Sequence, residues 1–231
     1  MKKTELSQEG LKLIACVTML LDHIGALLLP QCAWLRIIGR IAFPVYCFLL
    51  SEGVHYTKDP LKYGLRLLLC AIISEIAFDY AVYGGISWEG QSVMLTLLIG
   101  FTMAVCMKHL KNPILQLFIV VPFAFIAQWA CVDYGGLGVV LMALFVLTRE
   151  TPHKLLIQTV GLAAICYLID GTVMLFAGVA VRIQLLAVVA MIPIALYSGR
   201  KVTGNRGVQL AFYLFYPVHL ALLYIVWRFI L

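Results

Sequence analysis

Residues 11–30 read LKLIACVTMLLDHIGALLLP, and this stretch decides the class of fold. A helix that crosses a bilayer needs roughly 20 mostly apolar residues, and the run is that long. It follows the basic start MKKTELSQEG and has no small-residue cleavage pattern, so we expect a retained first helix rather than a signal peptide. Asp22 and His23 interrupt it. Ionisable groups inside a membrane helix are costly, face the protein interior and mark function.

The whole chain has the composition of a membrane protein. Of its 231 residues, 63% are hydrophobic and 12% are charged, whereas soluble domains are about 45–50% apolar and about 25% charged. These values exclude a soluble enzyme, a disordered chain and a disulfide-stapled secreted domain. The net charge of +6 fits Lys and Arg in cytoplasmic loops. We expect no nucleic-acid partner, because no basic run with interleaved aromatic residues is present.

Nine apolar segments alternate with short loops rich in Pro, Gly and Asn. They predict an all-α bundle of about nine membrane-spanning helices, in a range of eight to ten, forming a single domain over residues 1–231. Loops assigned to one side carry Lys58, Lys62 and Lys108, whereas those on the other carry Glu89, Asp133 and Asp170. This asymmetry predicts a cytoplasmic N-terminus in a multi-pass protein of the bacterial cell membrane. The segments are 11–29, 35–54, 61–83, 93–107, 113–131, 136–148, 154–169, 173–197 and 209–230.

Further ionisable side chains fall inside the second, third, eighth and ninth segments. By depth, those on the first, second, third and ninth segments share a slab between the midplane and the outer leaflet. We interpret this slab as a candidate polar cavity. The members of the slab are His23, Arg40, Glu75, Asp79 and His219. Glu52 in the second segment and Arg182 in the eighth are ionisable residues outside it.

Helical spacing predicts how the charges pair. Arg36 and Arg40 are four residues apart and project from one face, as do Glu75 and Asp79. Two arginines opposite two carboxylates would neutralise one another. One interpretation is a buried ion-pair network that holds the first three helices together. The other is that the same network orients a catalytic base.

His23 is the strongest single candidate for that base. A neutral imidazole accepts a proton near neutral pH, and an adjacent carboxylate would fix its tautomer. We expect Glu75 or Asp79 to be that carboxylate. Asp22 points about 100° away around the helix and should contact a neighbouring helix instead. The alternative is a hydrogen-bonded histidine with a packing role.

Lys12 precedes His23 by eleven residues. Eleven helical steps return to within about 20° of the same face and span about 16 Å. Lys12 therefore lies at the cytoplasmic rim directly below His23. A rim cation beneath a deep base suits a long ligand with phosphates at one end and a reactive group at the other, such as a coenzyme A thioester. The alternative is a lysine that snorkels at the membrane interface.

Several stretches resemble the TraX family through most of the chain and in the same order. They are 11–30, LRIIGRIAFPVYCFLLSEGVHYT (35–57), YGLRLLLCAIISEIAFDYAVYGG (63–85), DYGGLGVV (133–140) and FYLFYPVHLALL (212–223). The resemblance implies a polytopic membrane protein, and the named member of the family acetylates the N-terminus of a conjugative pilin from acetyl-CoA. Lys12 and His23 are also similar to the basic residue and the histidine, separated by ten intervening residues, of membrane acyltransferases that O-acetylate polysaccharides.

The resemblance also implies a mechanism. Acetyl-CoA would enter from the cytoplasm, and the acceptor, a pilin-like peptide or a surface glycan, would come from the outer leaflet. His23 would be the general base, an arginine would stabilise the oxyanion, and no metal would be needed. The residues expected at the catalytic centre are Asp22, His23, Arg36, Arg40, Glu75 and Asp79; around the acetyl-CoA phosphates, Lys12, Lys58, Lys62 and Arg66; and around the substrate, Glu52, Asp133 and His219.

Two other classes of function stay open from the sequence. A small transporter would use the buried Asp, His and Arg as an ion relay, although no inverted repeat or matched pair of broken helices is visible. A non-catalytic accessory protein of a conjugation or secretion system would use the helix faces to bind partners.

Overall fold

A computed structural model describes residues 5–169, 173–176, 179–199 and 205–229. Asp170, which we assigned to an outer loop, lies outside these residues. Helices dominate the described chain, as predicted. The elements are α1 (Gln8–Leu27), α2 (Ala33–Gly39), α3 (Ala42–Tyr56), α4 (Pro60–Tyr83), α5 (Val93–Lys108), α6 (Pro113–Trp129), α7 (Gly135–Leu147), α8 (Lys154–Leu168), β1 (Val173–Phe176), β2 (Val179–Arg182), a 3₁₀ helix (Ile183–Ala190), α9 (Met191–Ala195) and α10 (Arg206–Phe229).

Three helical stretches in the described chain are long and apolar enough to cross a membrane: Gln8–Leu27, Ala33–Tyr56 and Gly207–Phe229. Helix α4 has 24 residues, but it carries two basic and two acidic side chains. Helices α5 to α8 are shorter, at 13–17 residues. These features are typical of a helical membrane protein, whereas the count of nine spans and the cytoplasmic N-terminus remain predictions.

Local sequence signals set several helix ends. The Ser7 hydroxyl accepts a hydrogen bond from the Gly10 amide at 3.1 Å at the start of α1. The Asp59 carboxylate accepts one from the Lys62 amide at 3.0 Å at the start of α4. Both are N-cap bonds that satisfy amides left without partners in the first turn. Gly84 ends α4 in the left-handed conformation, at φ 75°, which glycine adopts without steric cost.

The second predicted segment is two helices rather than one. Helix α2 ends at Gly39 and α3 begins at Ala42, so Arg40 lies at the break. Helix α1 packs closely on α2, and a Cβ at Gly39 would collide with the side chain of Asp22. The glycine therefore permits the approach that brings Arg36 of α2 and Arg40 at the break to the carboxylate of Asp22 in α1.

The eighth predicted segment, 173–197, is wrong as a single helix. Strands β1 and β2 form an antiparallel hairpin in which Val173 faces Arg182, and the 3₁₀ helix and α9 follow. Hydropathy does not distinguish the two structures, but the β-branched residues Val173, Val179 and Val181 are typical of paired strands. Arg182 therefore lies at the end of a hairpin, where it donates to the Tyr167 carbonyl at 2.8 Å near the end of α8.

The core lies where α3, α5 and α7 pack together and is closed by α1 and α10. The outer faces of α4, α6 and α10 are covered with exposed apolar side chains, among them Leu65, Phe118 and Leu222, as expected for surfaces in contact with lipid. Helix α10 contains Pro217, which cannot donate to the carbonyl four residues earlier. The Cys70 thiol donates to that carbonyl, on Tyr213, at 3.2 Å.

Candidate active site

The carboxylate of Asp22 is held between two arginines at the end of the bundle that also holds His23, which we call the His23 end. Its Oδ2 lies 2.6 Å from Arg36 Nη1, and its Oδ1 lies 2.5 Å from Arg40 Nη2. Arg36 Nη1 also donates to the Asp22 carbonyl at 3.2 Å. Asp22 therefore contacts a neighbouring helix, as predicted. Charge-assisted pairs of this kind are about twice as strong as neutral hydrogen bonds.

Arg40 is the more completely engaged of the two arginines. Its Nε donates to the Arg36 carbonyl at 3.3 Å, and its Nη1 donates to Gln184 Oε1 at 3.2 Å and the Tyr134 hydroxyl at 3.4 Å. Together with the Asp22 bond, all three guanidinium nitrogens donate to protein atoms. Tyr134 is itself fixed by stacking on Phe43, with ring centroids 3.8 Å apart.

His23 pairs with a second histidine rather than with a carboxylate. Its Nδ1 lies 2.7 Å from His219 Nε2, and His219 Nδ1 lies 2.7 Å from the Phe215 carbonyl oxygen. The Tyr216 ring meets both imidazoles edge-on, at centroid distances of 5.9 and 5.6 Å. His219 is buried. The first and last long helices of the chain thus meet at this histidine pair.

Glu75 and Asp79 do not face the arginines, so the predicted pairing is wrong. Glu75 accepts from the Ser92 amide at 3.0 and 3.1 Å and from the Ser92 hydroxyl at 2.8 Å. Asp79 Oδ2 accepts from the Ser87 amide at 3.2 Å. Both carboxylates instead hold the loop between α4 and α5. They do not bond to His23, so the prediction that one of them orients it is also wrong.

A cleft opens at the opposite end of the bundle, which we call the Lys12 end. Its inner part is a mostly apolar cavity of about 110 Å³, which contains Lys12, Met19 and Tyr216 in its wall. Its outer part is a polar cavity of about 380 Å³, which contains Lys12, Arg66 and Gln209. Lys12 thus lies at the junction, with its Nζ 5.4 Å from the Phe212 ring centroid. Tyr216 joins the inner cavity to the histidine pair.

The remaining residues predicted for the site lie in different parts of the structure. Lys62 pairs with Asp59 at 3.1 Å and is 82% exposed, and neither Lys58 nor Lys62 is in the wall of the cleft. Asp133, predicted near the substrate, accepts at its carbonyl from the Thr96 hydroxyl at 2.5 Å. It adjoins Tyr134 at the His23 end.

Glu52 lies at the Lys12 end, in the wall of the polar cavity. Its Oε1 accepts from Arg149 Nε at 2.7 Å. Arg149 also contacts Glu150 and donates to the Tyr56 hydroxyl at 3.1 Å. Burial lowers the pKa of Arg149, but the Glu52 hydrogen bond and the two carboxylates outweigh it and hold that pKa above its ordinary value. This network ties α3 to the loop after α7.

Among the described residues, no group of three or more His, Cys, Asp or Glu side chains is placed to bind a metal ion. The paired imidazoles, the clamped carboxylate and the cationic cleft are the polar features that the fold brings together. Tyr216 thus lies between a proton acceptor, His23, and a cavity whose mouth carries a cation.

A family model described as TraX protein matches residues 7–227, nearly the whole described chain. The chain belongs to the TraX family. This confirms the resemblance drawn from the sequence. The matched residues include every part of the two bundle ends.

Two curated proteins are similar in sequence to this TraX-family chain. "Probable fimbrial assembly protein FimC, serogroup H1" of Dichelobacter nodosus is 30% identical over 241 residues, which cover 96% of each chain. An uncharacterised protein of Rickettsia prowazekii is 30% identical over 145 residues, which cover 59% of this chain and 54% of the relative. No solved structure matches.

Sequence reasoning missed three residues of this TraX-family site. Gln184 and Tyr134 are uncharged, so a search for ionisable groups within apolar segments passes over both. Tyr216 lies three residues before His219, which places it on the same side of a helix. That spacing was the signal that would have found it.

Proposed function

We propose that this TraX-family protein is an integral-membrane acyltransferase that moves an acetyl group from acetyl-CoA to an amine or hydroxyl acceptor. The observation that supports it best is the relation between His23 and the cleft. A histidine with a hydrogen-bonded partner lies beyond the inner wall of a cavity whose mouth carries Lys12 and Arg66. With about nine spans and a cytoplasmic N-terminus, the Lys12 end would face the cytosol, where acetyl-CoA is found.

The donor would lie along the cleft with its phosphates at the mouth. Lys12 and Arg66 would pair with the phosphates, as cations do in many phosphate sites. The pantetheine arm would pass the apolar wall, and the thioester would approach Tyr216. Lys58 and Lys62 have no part in this arrangement, because they are outside the cleft wall.

The transfer would be a direct attack on the thioester. His23 takes a proton from the acceptor as the acceptor nitrogen or oxygen bonds to the thioester carbon. The tetrahedral intermediate carries an oxyanion, which a guanidinium stabilises. When the carbon–sulfur bond breaks, the coenzyme A thiolate leaves and is protonated by His23, which returns to its neutral form. The products are the acetylated acceptor and coenzyme A.

Arg36 suits the oxyanion better than Arg40. Arg40 donates from all three guanidinium nitrogens to protein atoms, whereas the bonds that Arg36 makes to Asp22 use Nη1. The Arg36 side chain is 36% exposed and that of Arg40 14%. We therefore assign Arg36 to the substrate and Arg40 to the support of Asp22.

The acceptor would come from the His23 end. The carboxylates of Asp22, Glu75, Asp79 and Asp133 at that end outnumber the guanidiniums of Arg36 and Arg40. This excess of negative charge favours an acceptor that carries an amine. A relative whose name gives a role in fimbrial assembly supports a pilin-like peptide and a place in pilus assembly. A surface glycan is the alternative acceptor.

The test is an assay of purified protein with labelled acetyl-CoA and membrane extract, followed by mass spectrometry of the labelled product. We expect transfer of the label to a peptide or glycan and release of free coenzyme A. Proton-coupled uptake into proteoliposomes without consumption of the thioester would favour the transporter instead. Partner binding with neither activity would favour an accessory protein.

A further inference from the structure

The hydrogen bonds of the histidine pair determine where the protons are. A carbonyl oxygen only accepts, so the His219 nitrogen that lies 2.7 Å from the Phe215 oxygen must carry the hydrogen. A neutral imidazole has one N–H and one acceptor nitrogen. His219 Nδ1 is therefore the donor, and His219 Nε2 is left with a lone pair.

The same reasoning extends to His23. Its Nδ1 lies 2.7 Å from His219 Nε2, which accepts, so His23 Nδ1 carries the hydrogen. His23 Nε2 then has the lone pair. The hydrogen bond between the two rings needs a lone pair on one of the nitrogens that it joins, so the two imidazoles are not both protonated.

We propose that His219 is the positioning residue of the acetyl transfer, because it fixes His23 in the Nδ1–H tautomer and so aims the Nε2 lone pair at the acceptor proton. The inference rests on the proposed function, in which His23 is the base. In enzymes that pair a histidine with a carboxylate, the carboxylate fixes the tautomer. Here an imidazole does so, and its own tautomer is fixed by a main-chain carbonyl.

Helix α10 holds His219 rigidly enough for this role. The Phe215 ring stacks on His219 with centroids 5.0 Å apart, and Tyr216 packs edge-on against both histidines. Pro217 lies between Tyr216 and His219 in α10. When His23 takes the acceptor proton, its Nδ1–H continues to donate to His219, and this bond stabilises the imidazolium until coenzyme A takes the proton.

The first test is the protonation state of the histidines themselves. The full-length protein is purified in lipid nanodiscs with ¹⁵N-labelled histidine, and the His23 signals are assigned by comparison with His23→Gln. We expect His23 Nδ1 to be the protonated nitrogen and Nε2 the unprotonated one. A His23 that carries its hydrogen on Nε2 in the wild-type protein would overturn the proposal.

The second test compares two replacements of His219 in the acetyl-transfer assay. His219→Leu removes the acceptor, and we expect kcat to fall about 100-fold with the KM for acetyl-CoA unchanged. His219→Gln keeps an acceptor near the position of Nε2, so kcat should recover at least about tenfold relative to leucine. His109→Leu, on the exposed end of α5, is the matched control and should match wild type.

Several results separate this inference from the proposed function. If His219→Leu keeps wild-type kcat while His23→Ala has none, the acyltransferase stands and the role of His219 is refuted. If both variants remain fully active, the assignment of the base fails too. A rise in KM with no change in kcat would mean that His219 binds substrate, which also contradicts the proposal. If the leucine variant does not fold, the glutamine variant and the wild-type spectrum decide.

Discussion

At the scale of the residue, the site depends on a carboxylate that neutralises two guanidiniums. Asp22 precedes His23 in the sequence, but its carboxylate forms ion pairs with Arg36 and Arg40. A charge left without its partner in an apolar interior is much more costly than the pair is stabilising. Asp22 thus makes it possible for two arginines to lie beside the histidine pair.

Removing that charge should therefore damage the fold. Asp22→Asn leaves the mostly buried guanidinium of Arg40 and the partly exposed one of Arg36 facing a neutral amide, and we expect a loss of about 3 kcal/mol in stability. The thermal unfolding of the purified variant in detergent measures this. Asp59→Asn, at an exposed helix start, is the control, and an Asp22 variant as stable as that control would contradict the account.

The two arginines should respond differently to substitution. Arg36→Gln should lower kcat at least about 100-fold, because an oxyanion donor is lost, while the protein stays folded. Arg40→Gln should lower the unfolding temperature more than Arg36→Gln, because Arg40 also holds Gln184 and Tyr134. Measurements of kcat and unfolding temperature on both variants test this. The assignment fails if the two effects are reversed.

Substitution of the cationic residues of the cleft should weaken the binding of acetyl-CoA without slowing the transfer step. Lys12→Ala or Arg66→Ala should raise the KM for acetyl-CoA about tenfold, the value of one charge-assisted hydrogen bond, with little change in kcat. Lys62→Ala is the matched control, since Lys62 is equally basic but lies outside the cleft wall. An equal effect of all three would indicate only a general attraction for anions.

At the scale of the element, the contact between α1 and α2 brings the charges together. Gly39 and Gly25 allow the approach: a Cβ at Gly25 would lie 2.8 Å from the Leu35 Cβ, and one at Gly39 would meet Asp22. The break after α2 then turns Arg40 towards the 3₁₀ helix. The single straight helix predicted over 35–54 has no such break, so it would not turn Arg40 in this direction.

A methyl group at this contact should be destabilising. Gly39→Ala forces α1 and α2 apart, and we expect a loss of about 1–3 kcal/mol together with reduced acetyl transfer. Gly85→Ala is the control, because a Cβ there would meet nothing within 4 Å. Thermal unfolding of the two variants gives the comparison. Equal unfolding temperatures would show that the close approach of these helices is unimportant.

The sequence predicted that ionisable residues of the first, second and last long helices lie near one another better than it predicted which side chains pair. Helical spacing gives depth in the bundle and the shared face of Arg36 and Arg40, but it does not give the rotation of one helix relative to another. Glu75 and Asp79 were therefore assigned to the arginines, whereas they hold the α4–α5 loop. The pairing of His23 with His219 joins residues 196 positions apart, and depth alone did not distinguish it from a carboxylate partner.

Hydropathy was the weaker guide where strands and helices are equally apolar. It predicted the long helices α1, α4 and α10, because long apolar runs with caps are distinctive. It did not distinguish a spanning helix over 173–197 from a hairpin followed by a 3₁₀ helix. As a consequence Gln184, which the 3₁₀ helix places against Arg40, was not expected at the site.

At the scale of the whole molecule, the fold joins two ends with different chemistry. The Lys12 end is a cationic cleft with a buried Glu52–Arg149 pair in its wall region. The His23 end has paired imidazoles and a clamped carboxylate. Helices α1 and α10 contribute to both, and the Tyr216 ring lies between the inner cavity of the cleft and the histidine pair. This arrangement is what an acetyl donor and an acceptor on opposite sides of a membrane would need.

The most direct test is the rate of acetyl transfer by His23→Ala, measured beside wild type and His109→Ala with acetyl-CoA binding determined on the same preparations. The account predicts that His23→Ala binds acetyl-CoA as wild type does, reaches the membrane in normal amounts and transfers acetyl at least about 100-fold more slowly, while His109→Ala is unaffected. Wild-type transfer by His23→Ala would contradict the central claim.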